Sequence, residues 1–450
     1  MENIVKNWKY FIQTFGCQMN VHESEKVAGV LENRGLTKTD NLSEAQVVVI
    51  NTCAIRENAE KKIESFIGNL KALKKAGSLH IVAVGGCMTQ QNGRAVDLHQ
   101  KFPFLDIIFG THNLVDFDKM LEKALHQKKS VIEVVEQRDG RDLSMATRTS
   151  GVNAWVNIMH GCNNFCTYCI VPYVRGREIS RPMADILDEI KGLLADGYKQ
   201  ITLLGQNVNS YGNDIQSPEV CFANLLKQID ALDGKFRLRF MTPHPKDLTD
   251  EVIEVIANSK HICHGLHLPV QSGSTKVLEK MNRKYTREQY LNLVKRIKAK
   301  ITDVELTTDI IVGFAGETEE DFAQTMSLIE EVRYQQIFGF IYSRRKGTVA
   351  DKFDGQIPLS IKKERLARLI EKEREIASDI SASYVGKTVE ILIEGTNKGK
   401  WVGTTDQNKN VHITAPAGAE FDNYFGKFVK VKIKSSKLTV LYGEIINEND

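Results

Sequence analysis

The sequence predicts an α/β protein with three folded parts: an open parallel-sheet domain, a partial barrel of six strand–helix units and a small all-β barrel. Three observations lead to this prediction. With 450 residues, the chain is too long for a single core. Strand-like and helix-like patterns alternate up to about residue 380, as in parallel sheets covered by helices. Beyond that point, short strand-like runs are separated by Gly, Asn and Ser.

The first part, residues 1–127, alternates three strand-like runs with two helical patterns. The strands are expected at Lys9–Thr14, Gln46–Asn51 and His80–Val84, and the helices at Glu23–Asn33 and Ala59–Lys75. This order predicts a parallel sheet with helices on its faces.

A cysteine follows each of these strands, at Cys17, Cys53 and Cys87. Parallel strands deliver their carboxyl ends to one edge of the sheet, so we expect the three thiols to converge there. Taken singly, each cysteine is more simply a buried small residue. Three at matching strand ends favour an iron–sulfur cluster with one iron left open.

A charged linker without hydrophobic periodicity is expected at residues 128–150, and a second series of strands and helices at residues 151–381. Its strands are predicted at Ala154–Met159, Gln200–Leu204, Phe236–Met241, Gly265–Leu268, Val304–Val312 and Ile337–Tyr342. Its helices are predicted at Met183–Leu194, Phe222–Leu232, Leu248–Ala257, Arg287–Ile297, Glu319–Val332 and, closing the domain, Ile361–Ile380. Six such units predict a partial α/β barrel with its chemistry at the carboxyl ends of the strands.

The loop after the first of these strands carries Cys162, Cys166 and Cys169 in the spacing C-x-x-x-C-x-x-C. Three thiolates hold three irons of a four-iron cluster and leave the fourth open to another ligand. A zinc site would want a fourth Cys or His nearby, where only His160 is close. Zinc and inert buried thiols remain the alternatives.

This loop, Gly161-Cys162-Asn163-Asn164-Phe165-Cys166-Thr167-Tyr168-Cys169, resembles the signature of the radical S-adenosylmethionine superfamily. Tyr168 matches the aromatic residue that lies by the adenine in that superfamily, although loop packing is its simpler role. A chain that also has three cysteines in an α/β domain resembles the methylthiotransferase family. Thr14-Phe15-Gly16-Cys17-Gln18-Met19-Asn20 and Asn51-Thr52-Cys53-Ala54-Ile55-Arg56-Glu57-Asn58-Ala59 are similar to the branch that modifies N6-isopentenyladenosine in tRNA.

The resemblance implies an enzyme that replaces the C2 hydrogen of N6-isopentenyladenosine, at position 37 next to the tRNA anticodon, with a methylthio group. It implies two 4Fe–4S clusters and S-adenosylmethionine, one molecule as methyl donor and another as radical source. The second cysteine set would generate the radical, and the first would deliver the sulfur. No catalytic residue beyond these ligands is expected, and a low-potential electron donor is required. The alternatives are the same chemistry on threonylcarbamoyl-adenosine or a ribosomal-protein aspartate, and a non-catalytic iron–sulfur or RNA-binding protein.

Further family-like motifs follow the barrel strands. By position, Gln206 and Asn207 are expected to meet the methionine part of the cofactor, and Asp309 to Gly313 the adenosine part. An amide or Gly at a strand end is otherwise more often a turn residue. Arg175 and Arg177 are expected to contact cofactor carboxylate or RNA phosphate, or to be structural or solvated.

The last part, residues 384–450, is expected to form a small antiparallel barrel. Its strands are predicted at Thr388–Glu394, Trp401–Thr404, Val411–Ile413, Phe428–Lys434 and Leu438–Glu444. Lys430, Lys432 and Lys434 alternate with apolar residues, so one strand face should present all three. The segment resembles the TRAM domain, which implies contact with RNA phosphates.

Composition bears on the binding partners, the cellular compartment and the chemistry of the cysteines. The net charge of +3 neither requires nor excludes nucleic acid. The N-terminus has no apolar signal region and no segment reaches the length of a membrane span, so a cytoplasmic protein is expected. Eight cysteines without a secretory signal suit metal chemistry better than disulfides. A monomer is the default expectation.

Overall fold

The computed structural model describes residues 5, 7–54, 57–127, 129–136, 147–148, 151–416 and 418–446, with residues 57–59 described through their backbone alone. Of the linker expected at 128–150, residues 128, 137–146, 149 and 150 lie outside the described residues. The chain divides into two compact units. The first takes the described residues of Met1–Thr149, His160–Asn163 and Ile170–Arg181, and the second those of Ser150–Met159, Asn164–Cys169 and Pro182–Asp450.

A parallel sheet of six strands, in the order β2-β1-β3-β4-β5-β6, organises the first unit. Its elements are β1 (Lys9–Thr14), α1 (Gln18–Asn33), β2 (Thr37–Lys38), β3 (Val47–Thr52), α2 (Glu57–Lys75), β4 (Ile81–Gly86), α3 (Arg94–Lys101), β5 (Ile107–Phe109), α4 (Phe117–Gln127) and β6 (Val131–Glu133). The three predicted strands are confirmed and lie side by side as β1, β3 and β4. Every residue of β3 and β4 is buried, as is typical of parallel strands covered on both faces.

Helix α1 begins at Gln18, five residues before the predicted start. The helical pattern was hidden because α1 buries polar side chains as well as apolar ones, among them Asn20, His22 and Glu23. Cys17 occupies the N-cap position of this helix. The longer helix therefore places the first cysteine at a helix N-terminus.

The remaining chain begins with β7 (Asn153–Asn157), β8 (Met159–His160), α5 (Val171–Arg175), β9 (Ile179–Ser180), α6 (Met183–Ala195), β10 (Gln200–Leu204), α7 (Phe222–Asp230), β11 (Arg237–Phe240), α8 (Asp250–Asn258), β12 (Gly265–His267), α9 (Thr275–Lys280), α10 (Arg287–Lys300), β13 (Glu305–Val312), α11 (Glu319–Val332), β14 (Gln336–Ile341) and α12 (Leu359–Ala382). The six predicted barrel strands are confirmed as β7 and β10 to β14. They form two parallel sheets of three strands, β7-β10-β11 and β12-β13-β14.

The two three-stranded sheets meet through the backbone of Leu238. Its N–H donates to the carbonyl of His261 (2.7 Å), and its carbonyl accepts from the N–H of Cys263 (2.9 Å). One hydrophobic core runs behind both sheets, from Val156 on β7 to Ile376 on α12. The six strands thus follow one another in sequence order as an open half-barrel.

The C-terminal part of the second unit is a closed barrel of five strands, ordered β15-β16-β17-β19-β18. Its strands are β15 (Thr388–Asn397), β16 (Lys400–Thr405), β17 (Asn410–Thr414), β18 (Phe428–Lys437) and β19 (Val440–Ile445). The expectation of a purely antiparallel barrel was wrong at one seam, because β17 and β19 pair in parallel. The parallel pairing results from closure of the barrel. Strand β19 runs antiparallel to β18, and it closes the barrel against β17, which runs in the same direction as β19.

Candidate functional site

Cys17, Cys53 and Cys87 lie at the carboxyl edge of the sheet of the first unit. Cys17 follows β1, Cys53 follows β3 and Cys87 follows β4, and these strands are direct neighbours. Burial raises the pKa of the Cys87 thiol to about 12, and Cys53 and Cys17 are close enough to add to this rise. The structure therefore brings the three thiols of this set together.

Close backbone packing surrounds these thiols. Cys53 and Cys87 are only 2% and 4% exposed. Gly16 has a φ of +131°, and a Cβ on it would lie 2.9 Å from the Cβ of Cys53. A side chain at this position is thus excluded both by conformation and by space.

Two buried asparagines tie the cysteine-bearing loops to one another. The amide nitrogen of Asn20 donates to Asn51 Oδ1 and to the carbonyl of Thr52, each at 2.9 Å. Asn51 returns a hydrogen bond to the carbonyl of Asn20 at 2.9 Å. The Cys17 thiol donates to Asn20 Oδ1 at 3.3 Å. This network fixes the loops after β1 and β3, so the thiol positions do not depend on the cysteines alone.

Arg175 lies beside this cysteine set. Its side chain is buried, its Nη2 donates to Glu23 Oε2 at 3.1 Å, and its Nη1 pairs with Glu23 Oε1. Its Nε donates to Cys87 Sγ at 3.3 Å. Burial opposes the charge of Arg175, but the neighbouring Cys87 and Glu23 outweigh it and raise its pKa well above the ordinary value. Arg175 is thus turned toward a cysteine and a carboxylate, while the predicted Arg177 is exposed.

The donor set of the first unit fits an iron–sulfur cluster better than a single ion. Among the described residues, one group brings three possible ligand atoms within 4.8 Å of one another, and it is His264, Asp303 and Asp406. At least one pair among the sulfurs of Cys17, Cys53 and Cys87 is therefore farther apart than the roughly 3.8 Å that tetrahedral Zn–S bonds of about 2.3 Å require. Three thiols at a sheet edge, one of them at the N-terminus of α1, suit an anionic cluster.

The second cysteine set spans the two units along the chain. Cys162 belongs to the first unit, where its N–H donates to the carbonyl of Gly176 at 3.1 Å. Gly161 before it has a φ of +77°, and a Cβ there would lie 1.9 Å from the carbonyl oxygen of Arg177. Cys166 and Cys169 belong to the second unit, where the N–H of Cys169 donates to the carbonyl of Cys166 at 2.9 Å.

The segment after α9 holds the loop of Cys166 and Cys169. Thr167 donates from its N–H to the carbonyl of Met281 (3.1 Å) and from its hydroxyl to that of Lys280 (2.8 Å). Asn282 donates to the carbonyls of Asn164 and Phe165. The loop therefore has a fixed backbone before any ligand binds.

Arg283 in this segment is a functional candidate that the sequence did not reveal. Its Nη1 donates to Cys166 Sγ and to the Tyr168 hydroxyl, each at 3.5 Å, and its Nη2 to the carbonyl of Pro269 at 2.8 Å. Burial opposes its charge, but Tyr285, Tyr168 and Cys166 favour it and keep its pKa well above the ordinary value. A positive charge thus stands beside one thiol of each cysteine set, Arg175 at Cys87 and Arg283 at Cys166.

Tyr168 and the end of β13 lie in one aromatic cluster. The Tyr168 ring meets Phe314 edge-on at 6.5 Å between centroids, and burial raises its pKa well above the ordinary value. Gly313 has a φ of +70°, and a Cβ there would lie 2.3 Å from Lys362 Cγ. Asp309, four residues earlier, is 3.6 Å from His267 Nε2. The close approach of α12 explains Gly313 without any ligand.

Buried polar atoms near the ends of β10 and β11 fit a polar cofactor. Asn207 donates from Nδ2 to Asp247 Oδ2 at 2.8 Å, whereas its Oδ1 is buried and meets no hydrogen-bond partner among the described residues. The same holds for His244 Nε2, and burial lowers the pKa of His244 far below its ordinary value. Gln206 precedes Asn207 and is half-buried. The amino and carboxylate groups of S-adenosylmethionine would satisfy such orphaned atoms.

The lysines of β18 are exposed on one face as predicted. Lys430, Lys432 and Lys434 alternate with buried Val431 and Ile433. Lys434 forms a 3.0 Å ion pair with Glu444 on the neighbouring strand. Part of the charge on this face is therefore already neutralised.

Comparison with known proteins identifies each part of the chain. Residues 9–110 match Uncharacterized protein family UPF0004, residues 156–329 the radical SAM superfamily and residues 382–446 the TRAM domain. A tRNA-2-methylthio-N(6)-dimethylallyladenosine synthase of Clostridium botulinum (strain Okra / Type B1) is 50% identical over 442 residues, which cover 97% of both chains. The chain belongs to this synthase family. A synthase of the same name from Carboxydothermus hydrogenoformans is also 50% identical, over 97% of this chain and 99% of its own.

Solved structures related to this member of the synthase family show the same fold at low identity. The radical S-adenosylmethionine methyltransferase TsrM of Kitasatospora setae, solved with cobalamin and an iron–sulfur cluster, superimposes with a TM-score of 0.57 and 14% identity. The match covers 77% of this chain and 74% of that one.

None of the described helices combines the length and apolar composition needed to cross a membrane.

Proposed function

We propose that this protein methylthiolates C2 of N6-isopentenyladenosine at position 37 of tRNA, next to the anticodon. The observation that carries the proposal is the placement of Cys17, Cys53 and Cys87 after the neighbouring strands β1, β3 and β4, in a chain that also has the Cys162, Cys166 and Cys169 loop. Curated relatives bearing the synthase name at 50% identity over nearly the full length support this substrate.

The two cysteine sets would each hold a 4Fe–4S cluster, and S-adenosylmethionine would bind at the open iron of the second. When bound, these groups supply a one-electron cleavage of S-adenosylmethionine and the sulfur to be transferred. Tyr168, Asp309 and Gly313 are proposed to line the adenosine part of the cofactor, and Gln206 and Asn207 its methionine part. The orphaned Asn207 Oδ1 supports the last assignment.

Two arginines contact cysteines that would ligate the clusters. Arg175 and Arg283 each donate a hydrogen bond to one ligand sulfur, Cys87 and Cys166. Hydrogen bonds and charge at the sulfurs set the reduction potential of such sites. Two cysteines of the proposed sulfur-donating set, Cys53 and Cys87, are buried, and Cys17 is half-buried.

The four-part organisation is part of this proposal: residues 1–127 for the auxiliary cluster, a linker at 128–150, a radical domain at 151–381 and an RNA-binding domain at 384–450. Lys430 and Lys432 are proposed to contact tRNA phosphates, with Lys434 contributing less because it pairs with Glu444. We further propose a monomer in the cytoplasm that is served by a low-potential electron donor.

Two cysteine variants separate the roles of the two sets. Cys166→Ala should abolish both 5'-deoxyadenosine formation and the methylthio product in the cluster-loaded enzyme. Cys53→Ala should keep 5'-deoxyadenosine formation and lose the product. Methylthiolation that survives Cys53→Ala would overturn the role of the first set.

The target is tested by nucleoside analysis of tRNA from a deletion strain. Loss of 2-methylthio-N6-isopentenyladenosine is expected, and its unchanged presence would reject the substrate in favour of threonylcarbamoyl-adenosine or a ribosomal-protein aspartate. A non-catalytic iron–sulfur or RNA-binding protein would form no 5'-deoxyadenosine from S-adenosylmethionine when reduced.

A further inference from the structure

Two phenylalanines on β14 are unusually exposed. Phe338 and Phe340 are 42% and 41% exposed, although Phe is a residue type most often found buried. They are two residues apart on one strand, so they share a face and lie about 6.6 Å apart along it.

This face is the inner one of the half-barrel. Gly339, between the two phenylalanines, faces the other way: a Cβ on it would lie 2.8 Å from Leu369 and 2.9 Å from Leu366 of α12. Ile337 shares that outer face and is buried in the core with Leu369. In an α/β barrel the helices lie outside, so Phe338 and Phe340 line the concave side that six strands leave open.

Hydrogen-bonding side chains share the inner face with the phenylalanines. The strand register places Asp309 opposite Phe338 and Ile311 opposite Phe340. His267 meets Phe338 edge-on at 5.8 Å between ring centroids, and its Nδ1 is 2.8 Å from the hydroxyl of Thr307. The face therefore combines two aromatic surfaces with a row of polar groups.

The same face continues to the cysteine loop within the second unit. Ile311 and Tyr168 both pack against the buried cluster that contains Phe314, and Tyr168 directly precedes Cys169. A molecule lying on Phe338 and Phe340 would thus extend toward the place where the chemistry is proposed.

We propose that Phe338 and Phe340 bind the target adenine and its N6 substituent, one ring stacking on the base and the other packing against the apolar five-carbon chain. This inference rests on the proposed function, and it identifies the residues that would select an isopentenylated base. Aromatic rings stack on any base, and an apolar chain gains by leaving water. His267, whose Nε2 lies 3.6 Å from Asp309 Oδ2, offers a hydrogen bond to the edge of the same base. Together they would distinguish isopentenyladenosine from adenosine.

The test compares two anticodon stem-loop RNAs that differ only in the isopentenyl group. The cluster-loaded full-length enzyme is titrated with each RNA, and the ratio of the two Kd values is measured by fluorescence anisotropy. We expect Phe338→Ala and Phe340→Ala each to reduce this ratio by about tenfold or more, the scale of discrimination in apolar pockets. Phe338→Leu, which retains apolar surface, should restore most of it. Leu359→Ala, which removes an apolar side chain of 57% exposure at the start of α12, outside the proposed RNA-binding domain, is the control and should leave the ratio unchanged.

The outcomes separate this inference from the function on which it rests. If the wild type forms the methylthio product while both Ala variants keep its Kd ratio, the inference alone is overturned. It is also overturned if the variants weaken S-adenosylmethionine binding and leave the ratio unchanged, because the rings would then hold the cofactor. A wild type that forms no product and binds both RNAs equally would overturn the proposed function and this inference with it.

Discussion

Removing the Glu23 carboxylate should strongly destabilise the first unit. The Arg175 and Glu23 side chains are 4% and 5% exposed and form a two-point ion pair. Glu23→Ala would leave the guanidinium buried without its carboxylate, which costs about 3–5 kcal/mol when one partner of a buried pair is lost. Replacing both residues, as Glu23→Leu with Arg175→Met, removes the buried charge as well. The double variant should therefore recover most of the lost stability.

The assay must report on the first unit alone, because a chain of two units need not unfold in one step. Trp8 stacks on His80 in that unit at 4.7 Å between ring centroids. In a background with Trp155→Phe and Trp401→Phe, Trp8 is the sole tryptophan reporter of urea unfolding of the apoprotein. Glu44→Ala, which breaks an exposed pair with Lys9, is the control and should change little. A loss below about 1 kcal/mol for Glu23→Ala, or no recovery in the double variant, would refute the reasoning.

Three further predictions concern other residues. Arg283→Gln removes a positive charge beside Cys166, so the reduction potential of that cluster should fall in an EPR-monitored redox titration, and an unchanged potential would contradict the role of Arg283. Because burial lowers the pKa of His244 in the folded protein, the unfolded state takes up the proton first. Stability should therefore fall by up to about 1.4 kcal/mol per pH unit below about pH 6.5. In urea unfolding, the stability of His244→Gln should depend less steeply on pH than that of the wild type. Identical slopes for the two proteins would contradict this prediction for His244. Lys430→Ala with Lys432→Ala should reduce the salt dependence of tRNA binding, by about one unit of log–log slope for each phosphate that is no longer neutralised, whereas an unchanged slope would show that these lysines do not meet phosphate.

The sequence predicted the parts of the fold that depend on local patterns. The three longest strands of the first sheet and the barrel strands were recognisable from apolar runs or from apolar residues that alternate with polar ones, as in Arg237–Phe240. Strands β2, β5 and β6 were not predicted and have only two or three residues, too few for a periodic pattern, whereas the equally short β12 was expected because the strand–helix alternation requires a strand there. The parallel pairing of β17 and β19 depends on closure of the whole barrel, and neither strand encodes it alone.

The candidate site also has residues that the sequence predicted and residues that it did not. Cysteine spacing and position at strand ends predicted both thiol sets from the chain itself. The partners of the thiols did not follow, because a buried Arg, Glu or Asn reads in sequence like any solvated residue. Arg175 was expected at phosphate or cofactor, or in a structural or solvated role, and the sequence did not indicate its contacts with Cys87 and Glu23. Arg283 had no sequence signal, since its role arises from the fold of the segment after α9.

The most direct test of two clusters in one chain is the iron and sulfide content of the anaerobically reconstituted protein. The wild type should contain about eight irons and eight sulfides per chain. Replacing all three cysteines of either set with Ala should leave about four of each. A single zinc per chain, or a wild-type iron content that is unaffected by loss of Cys17, Cys53 and Cys87, would contradict the account.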